Sequence, residues 1–549
     1  MTPSSQAAAR VTHEVCNQVP PLPDYDAFAC DAALGEALER HQAGWAAEAV
    51  QAAGLDAGSQ HLAALGDQAN RNPPRLLSYS RSGERIDEVE FHPAYHELLG
   101  TQIRHGAHNL TWAEQGREGA SVARGAIFYL LTQPEQGVSC PVSMTHAVVP
   151  SLRNEAALYE EWWPRIASRD YDPSFQPASQ KSGATFGMAM TEKQGGSDVR
   201  ANSTRAEPIG EGAYLLTGHK WFCSAPMCDA FLTLAQAPGG LTCFLVPRWR
   251  PDGTKNNFFI QRLKDKLGNK SNASSEIEYD QTWCQRLGEE GRGVPTIIEM
   301  VHSTRVDVAL GAAGIMRAAL VQALHHTRHR SAFGKLLSDQ PLMRNVLADL
   351  ALESEAATTL AFRVAAAAGS SDPAERAFGR VATAVAKYWN AKRVSRVVGE
   401  CLECLGGNGY VEDAPLARLY REAPLGSIWE GSGNVQCLDV LRASRRTPDA
   451  MDAFLGELNS TQGQNPHLDA AVATLTRELS SSDDLELRAR DLVERLATTL
   501  QASLLIRSAP SAVSDAFCAG RLGARGYEFG TLPPGLDLEA ILSRSLPSL

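Results

Sequence analysis

The feature that most constrains this chain is a change of period, made twice. From about residue 30 to 180, apolar residues recur at helical spacing. Ala120, Val122, Ala123, Ala126, Ile127 and Leu130 form one such stripe. From about 184 to 290 the pattern breaks into short strand-like runs: ATFGMAMT, AYLLTGHKWF, AFLTLAQA, LTCFLVPR and SEIEYD. Turn residues such as Gly195-Gly196 and Pro251-Asp252-Gly253 separate them, which suggests a small barrel or sandwich. Helical spacing then returns near 295–330, 339–368 and 373–404, with a shorter segment near 433–446. Long helices with short breaks imply an antiparallel bundle.

Length agrees with several layers. At about 150 residues per domain, 549 residues suggest three or four domains. The divisions read as 1–183, 184–293, 294–450 and 451–549. Pro20, Pro21 and Pro23 hold residues 18–25 out of helix. SSSDDLE reads as a helix start, and GARGYEFGTLPPG as a surface loop. No run of about 18 apolar residues is present, so a membrane span is not expected. The first residues lack the apolar run of a secretory signal, so the eleven scattered cysteines are expected to be reduced thiols in the cytoplasm. A net charge of −11 argues against a surface built mainly for nucleic acid.

Several phrases carry chemistry, each with a plainer reading beside it. MTEKQGGSDV (Met190–Val199) ends a strand in a glycine turn whose N–H groups can nest an anion, with Ser197 as a further donor. Alone it is also an ordinary turn. GHKWFCSAP sets Trp221 near Ser224, which suits a flat heteroaromatic ring, although tryptophan is common in cores. RHRSAFGK closes a long helix with dense positive charge, and residues 301–350 are net +3. That excess fits a pyrophosphate, or simple compensation of the helix dipole. Cys401 and Cys404 form a lone C-x-x-C without metal or redox context. His325 and His329 share a helix face but lack a carboxylate partner, so no metal is expected there. Glu430, between Trp429 and Gly431, is a candidate general base or a helix-start glutamate.

In this order the phrases resemble the acyl-CoA dehydrogenase superfamily. The matching residues are MTEKQGGSDV, GHKWFCS, Arg305 in STRVDVALGAAG, RSAFGKLLSDQPL, LGGNGY and IWEGSGN. THEVCNQ, IDEVEFHPAYHELL and the segment past 450 narrow the resemblance to the AidB-type, alkylation-response branch. The resemblance implies an N-terminal α-helical domain, a central antiparallel β-barrel and a four-helix bundle, plus an extra C-terminal helical domain. It implies FAD as cofactor and a homotetramer in which subunits share the cofactor. Residue by residue, it assigns FAD contacts to Met190, Thr191, Gly196, Ser197, Trp221, Phe222, Cys223, Ser224 and Trp429. Arg330, Phe333 and Gln340 match positions that reach FAD of a neighbouring subunit, and Gly406 and Gly407 a loop near that same FAD. Ser432 and Asn434 match the residues holding the phosphate and adenine side; Asn434 replaces the usual Gln, as in the AidB branch. Glu403 stands where dehydrogenases commonly have Gln.

Glu430 matches the catalytic base, and Arg305, matching an arginine close to it, is the second residue expected to be catalytic. The implied reaction removes the α-proton of an acyl-CoA while the β-hydride goes to flavin. The branch suggests short branched thioesters such as isovaleryl-CoA, with an electron-transferring flavoprotein as acceptor. It also suggests a DNA-associated flavoprotein that protects against alkylation. Against that, residues 451–549 hold eight Arg, no Lys and thirteen Asp or Glu. The Arg442, Arg445 and Arg446 cluster remains a possible DNA contact. A flavin scaffold without turnover is the third alternative.

Overall fold

A computed structural model describes residues 12–480, 484–523 and 526–545. Residues 12–26 run without helix, as the prolines require. The N-terminal part is then helical, with one departure. Strands Arg75–Tyr79 and Arg85–Glu90 pair antiparallel around a turn that places Gly83 at φ +87°. The helical reading of 30–180 missed this hairpin because RIDEVE lacks apolar alternation: its inward positions are Asp87 and Val89, and only Ser-Gly marks the turn. Helix Ala120–Thr132 has only Ser121 outside the buried set.

Seven strands form the middle layer. Ala230–Ala237 pairs with Gly240–Pro247, which pairs with Ser274–Leu287. Ser274–Leu287 pairs with Ala213–Ser224, that strand with Arg205–Gly210, and Arg205–Gly210 returns to Ala230–Ala237 at Arg205–Gln236, closing a ring. The expected barrel is therefore present, but it is not wholly antiparallel. Phe186–Ala189 runs parallel to Ala230–Ala237, and so does the Arg205 contact. The chain between these strands makes a long excursion rather than a hairpin, and only such a connection can return a strand in the same direction.

Helices Gly293–His329, Pro341–Gly369, Pro373–Cys404 and Gly433–Arg446 build the bundle. Gly293–His329 is long and apolar enough to cross a bilayer, but 78% of its most apolar window is buried within the protein. It is the central packing helix, touching Ala120–Thr132 and Ser139–Leu152 on one side and the two other long helices on the other.

The C-terminal helices share the bundle's apolar core instead of forming their own. Phe454 stacks on Phe378, and the Trp389 indole N–H donates to Gln501 Oε1 at 3.0 Å. Arg544 pairs with Glu355 and with Glu36 of the first N-terminal helix, Ala32–Arg40. The helix expected to start in SSSDDLE begins later, at Ala489: residues 484–488 are turns, and Ser481–Asp483 lie outside the described residues. Within GARGYEFGTLPPG, Ala524 and Arg525 also lie outside them. The rest is irregular and tied down where Leu532 exchanges two hydrogen bonds with Asn345.

Candidate active site

Glu430 lies in the short loop that enters helix Gly433–Arg446, at φ +56°. A glutamate is held in that left-handed region only when its surroundings over-determine it. They do so here through three consecutive carbonyls. Trp429 O accepts from Lys387 Nζ at 2.9 Å, and Gly431 O accepts from the same ammonium. Glu430 O accepts from Arg305 Nε at 3.2 Å and from Gln436 Nε2 at 3.1 Å. The backbone N–H of Glu430 has no acceptor among the described residues.

The Glu430 carboxylate accepts from the Thr304 hydroxyl at 2.7 Å. Burial pushes its pKa up; Thr304, Lys387 and Arg305 oppose the rise, and Asp307 adds to it. The carboxyl therefore sits above the usual range, as a general base for a weak carbon acid needs. Arg305 is placed differently from the expectation of a catalytic group. It touches the Glu430 backbone, and its guanidinium pairs with Asp439 at 2.9 Å, so its role is positional.

Glu430 and Trp429 edge an apolar cavity enclosing about 660 Å³ of empty space, mouth included. Its far walls include Phe128, Ala312, Ile315 and Val394. Polar residues also line it, and most of those are bonded: Ser143 donates to Asp307 at 2.6 Å, and Asn269 holds the Glu422 carboxyl from two donors. The cavity therefore presents a largely apolar lining with the Glu430 carboxylate at its edge; Asp307 and Glu422, the latter pushed up to about 7 by burial, are the other carboxyls of its wall.

The barrel brings a second group of expected residues together. Trp221 N donates to Thr191 O at 2.8 Å. A Cβ on Gly196 would lie 2.3 Å from Thr191 Oγ1, so only glycine lets the turn close on Thr191. Ser197 is exposed beside it, Phe222 is 49% exposed, and the Lys264 ammonium stands 3.3 Å from the centre of the Trp221 ring. The Trp429 indole N–H is buried without an acceptor. A half-open aromatic shelf, hydroxyls on Thr191 and Ser224, nearby cations and an orphaned donor fit a flat heteroaromatic ring bearing phosphates, so the residues present suit FAD. Met190 borders this group and its carbonyl accepts from Asn202. Cys223 does not join it through its side chain, which is fully buried in the barrel core. Strand alternation sends Phe222 out and Cys223 in.

Three further sets lie apart from the shelf. In the hairpin of Ser331–Ala332 with Lys335–Leu336, Phe333 is 100% exposed at φ +53°, and Gln340 Nε2 donates to Ala332 O at 3.1 Å. Arg330 binds the carbonyl of Asn17 in the leader. Exposed Glu403, Gly406 and Gly407 cluster at the end of helix Pro373–Cys404, with open space around both glycines. No hydrogen bond joins these two sets to the Trp221 group among the described residues. Ser432 precedes helix Gly433–Arg446 without capping it by its side chain, and Asn434 Oδ1 accepts from Arg490 Nε at 2.8 Å.

Thr304, Lys387 and Gln436 were not singled out from sequence. Lys387 left a signal: a lone cation in VATAVAKYWNA, a stretch of otherwise uninterrupted core residues.

Comparison with known proteins gives this geometry its context. Residues 17–173 match the model of the adaptive response protein AidB N-terminal domain. Residues 187–282 and 291–444 match the middle and C-terminal domains of acyl-CoA dehydrogenase. The AidB protein of Escherichia coli (strain K12) is 43% identical over 94% of this chain and 95% of its own length. Acyl-CoA dehydrogenase family member 11 of Caenorhabditis elegans is 31% identical over 82% of this chain and 72% of its own length. The solved structure of ACDH-11 from Caenorhabditis elegans, in complex with C11-CoA, superposes with a TM-score of 0.83 at 27% identity, covering 99% of this chain and 95% of that one. A Bacillus anthracis acyl-CoA dehydrogenase complexed with FAD shares the fold at 18% identity, with a TM-score of 0.61 over 78% of this chain and 77% of its own.

Proposed function

The chain belongs to the acyl-CoA dehydrogenase family, in its AidB branch, whose members bind FAD, and from that premise we propose that it oxidises an acyl-CoA at the α,β bond. The observation that carries this reading is Glu430: a carboxylate with raised proton affinity at the edge of a largely apolar cavity. An acyl chain seated there brings its α-carbon to the carboxylate, which takes the α-proton. As that proton leaves, charge develops on the thioester carbonyl oxygen, and the unpaired backbone N–H of Glu430 is a donor for it. FAD, when bound, supplies the acceptor for the hydride leaving the β-carbon. Thr191, Ser197, Trp221, Ser224 and Trp429 would hold it, with Ser432 and Asn434 toward its phosphates. Arg305, Lys387 and Gln436 keep the base loop in place.

The engaged polar groups of the cavity favour a saturated hydrocarbon acyl group over one bearing polar substituents. No comparable observation favours DNA. Several described C-terminal arginines are occupied, Arg507 with Glu457, Arg521 with Asp349 and Glu353 and Arg544 with Glu36 and Glu355, while the exposed cluster of Arg442, Arg445 and Arg446 stands just before that segment. Anaerobic mixing of holoprotein with saturated acyl-CoAs of graded length and branching tests the proposal. Bleaching of the oxidised flavin band by at least one of them is expected; a band unchanged by all of them defeats it.

A further inference from the structure

Lys387 sits in the middle of helix Pro373–Cys404 and is 0% exposed. The other buried lysines of this protein explain themselves. Lys181 pairs with Asp229 at 2.7 Å and Lys220 with Glu192 at 2.9 Å. Among the described residues no carboxylate stands within ion-pair distance of Lys387. Its ammonium instead meets two backbone carbonyls, Trp429 O and Gly431 O, which flank Glu430 in the chain.

Holding a loop does not require a charge. Gln436 performs the neutral version of the task beside it, giving its amide to Glu430 O and Gly431 O at 3.1 and 3.2 Å. Burying an ammonium without a counter-charge is costly, because the ion gives up its hydration. A charge retained at that cost has an electrostatic use, and the anion it faces is Glu430.

We propose that Lys387 is a positioning residue for the catalytic base, clamping the carbonyls on either side of Glu430 and holding its carboxyl ionised through its own positive charge. The proposal rests on Glu430 being the base. The groups facing Lys387 are Glu430 from the loop, Arg305 from helix Gly293–His329 and Lys392 from its own helix; Thr304 and Asp307 face Glu430 from helix Gly293–His329. Burial is the main cause that pushes the Lys387 pKa down to about 7; Glu430 opposes the fall, while Arg305 and Lys392 add to it. The clamp is therefore charged in acid and progressively neutral above neutrality. A neutral amine keeps two N–H donors, so the loop stays tied while the help given to the carboxylate fades.

The test reads the protonation of Glu430 directly. In FAD-loaded protein, the infrared band of its protonated carboxyl, assigned by its absence in Glu430→Gln, is followed from about pH 4 to pH 9. Lys387→Met should raise the titration midpoint by about one pH unit and slow flavin reduction below neutral pH at least tenfold. Lys387→Arg, charged throughout, should leave the midpoint at or below that of the wild type. A Lys387→Met midpoint equal to the wild type's, or an upward shift in Lys387→Arg, overturns the proposal. Should Lys387→Met fail to fold, Lys387→Gln, neutral but still a donor to the two carbonyls, replaces it: its midpoint should rise likewise, and an unmoved one overturns the proposal. The infrared midpoint needs no turnover, so a protein that no acyl-CoA bleaches would defeat the dehydrogenase reading and leave this one standing or falling separately.

Discussion

The hydroxyl of Thr304 donates to the carboxylate of Glu430 at 2.7 Å, although 126 residues separate them in sequence. The contact ties the first long bundle helix to the loop entering the last. It favours the ionised carboxyl, against the burial that favours the protonated one. Thr304→Val keeps the branched shape and removes the donor. The acidic limb of the rate of flavin reduction should then move up by about one pH unit, with little change on the alkaline side. Stopped-flow reduction across pH measures it, and an unmoved acidic limb excludes this role for the hydroxyl.

Glu430→Gln removes the proton acceptor and keeps the shape. Reduction by a substrate acyl-CoA should fall by about two to four orders of magnitude, the usual share of a general base. FAD content, read from absorbance, should hold, because none of the expected cofactor contacts depends on that carboxylate's charge. Flavin reduction at the wild-type rate would show that proton removal takes place elsewhere.

The barrel carries its own buried ion pair beneath the glycine turn. Glu192 accepts from Lys220 Nζ at 2.9 Å, and from the backbone N–H and the hydroxyl of both Ser203 and Thr204. Burial pushes its pKa up, but Lys220 and these donors outweigh that and hold it well below the usual carboxylate range. Glu192→Gln leaves the Lys220 ammonium buried without its counter-charge, which should destabilise the protein by about 3–5 kcal/mol. Urea unfolding at neutral pH measures this. The wild-type contribution is present above the unfolded carboxylate pKa and is lost only as pH falls through the depressed folded one, so the difference should shrink in strong acid.

His108 is 2% exposed, its Nε2 lies 2.9 Å from the Ser168 carbonyl, and burial pushes its pKa down to about 4. A depressed histidine is neutral in the fold and protonated in the unfolded chain. Its stabilising contribution is complete above the unfolded pKa of about 6.5 and is lost as pH falls toward the folded value. His108→Gln keeps a donor for Ser168 and removes the titration. The stability of wild type relative to this variant should decline from about pH 6.5 to pH 4; a constant difference over that window contradicts the assignment.

The order of layers and the long bundle helices were legible from period alone, because helix packing writes itself into apolar spacing. The closure of the barrel through Arg205–Gln236 was not, since a single long-range bridge leaves no local pattern. Glu430 could be nominated from its motif, and the shelf around Trp221 from a set of motifs in fixed order. What the motifs could not convey was direction. Arg305 reaches the backbone of Glu430 rather than its carboxylate, and Cys223 turns inward while Phe222 turns out. Lys387 was overlooked because a charged residue in a core stretch has no motif; its meaning comes from two carbonyls more than 40 positions away.

Arg544 bonds to Glu36, and Arg317 to the carbonyls of both Cys30 and Ser545, so helix Ala32–Arg40 and helix Leu538–Ser545 are fastened across the long helix Gly293–His329. Translation delivers Glu36 and Arg544 more than 500 residues apart. The helix that begins at Ala32 is synthesised well before Arg544, so it gains this fastening late. Until then the apolar faces that the C-terminal helices cover stay open, so a chain stopped short of them exposes greasy surface to other chains.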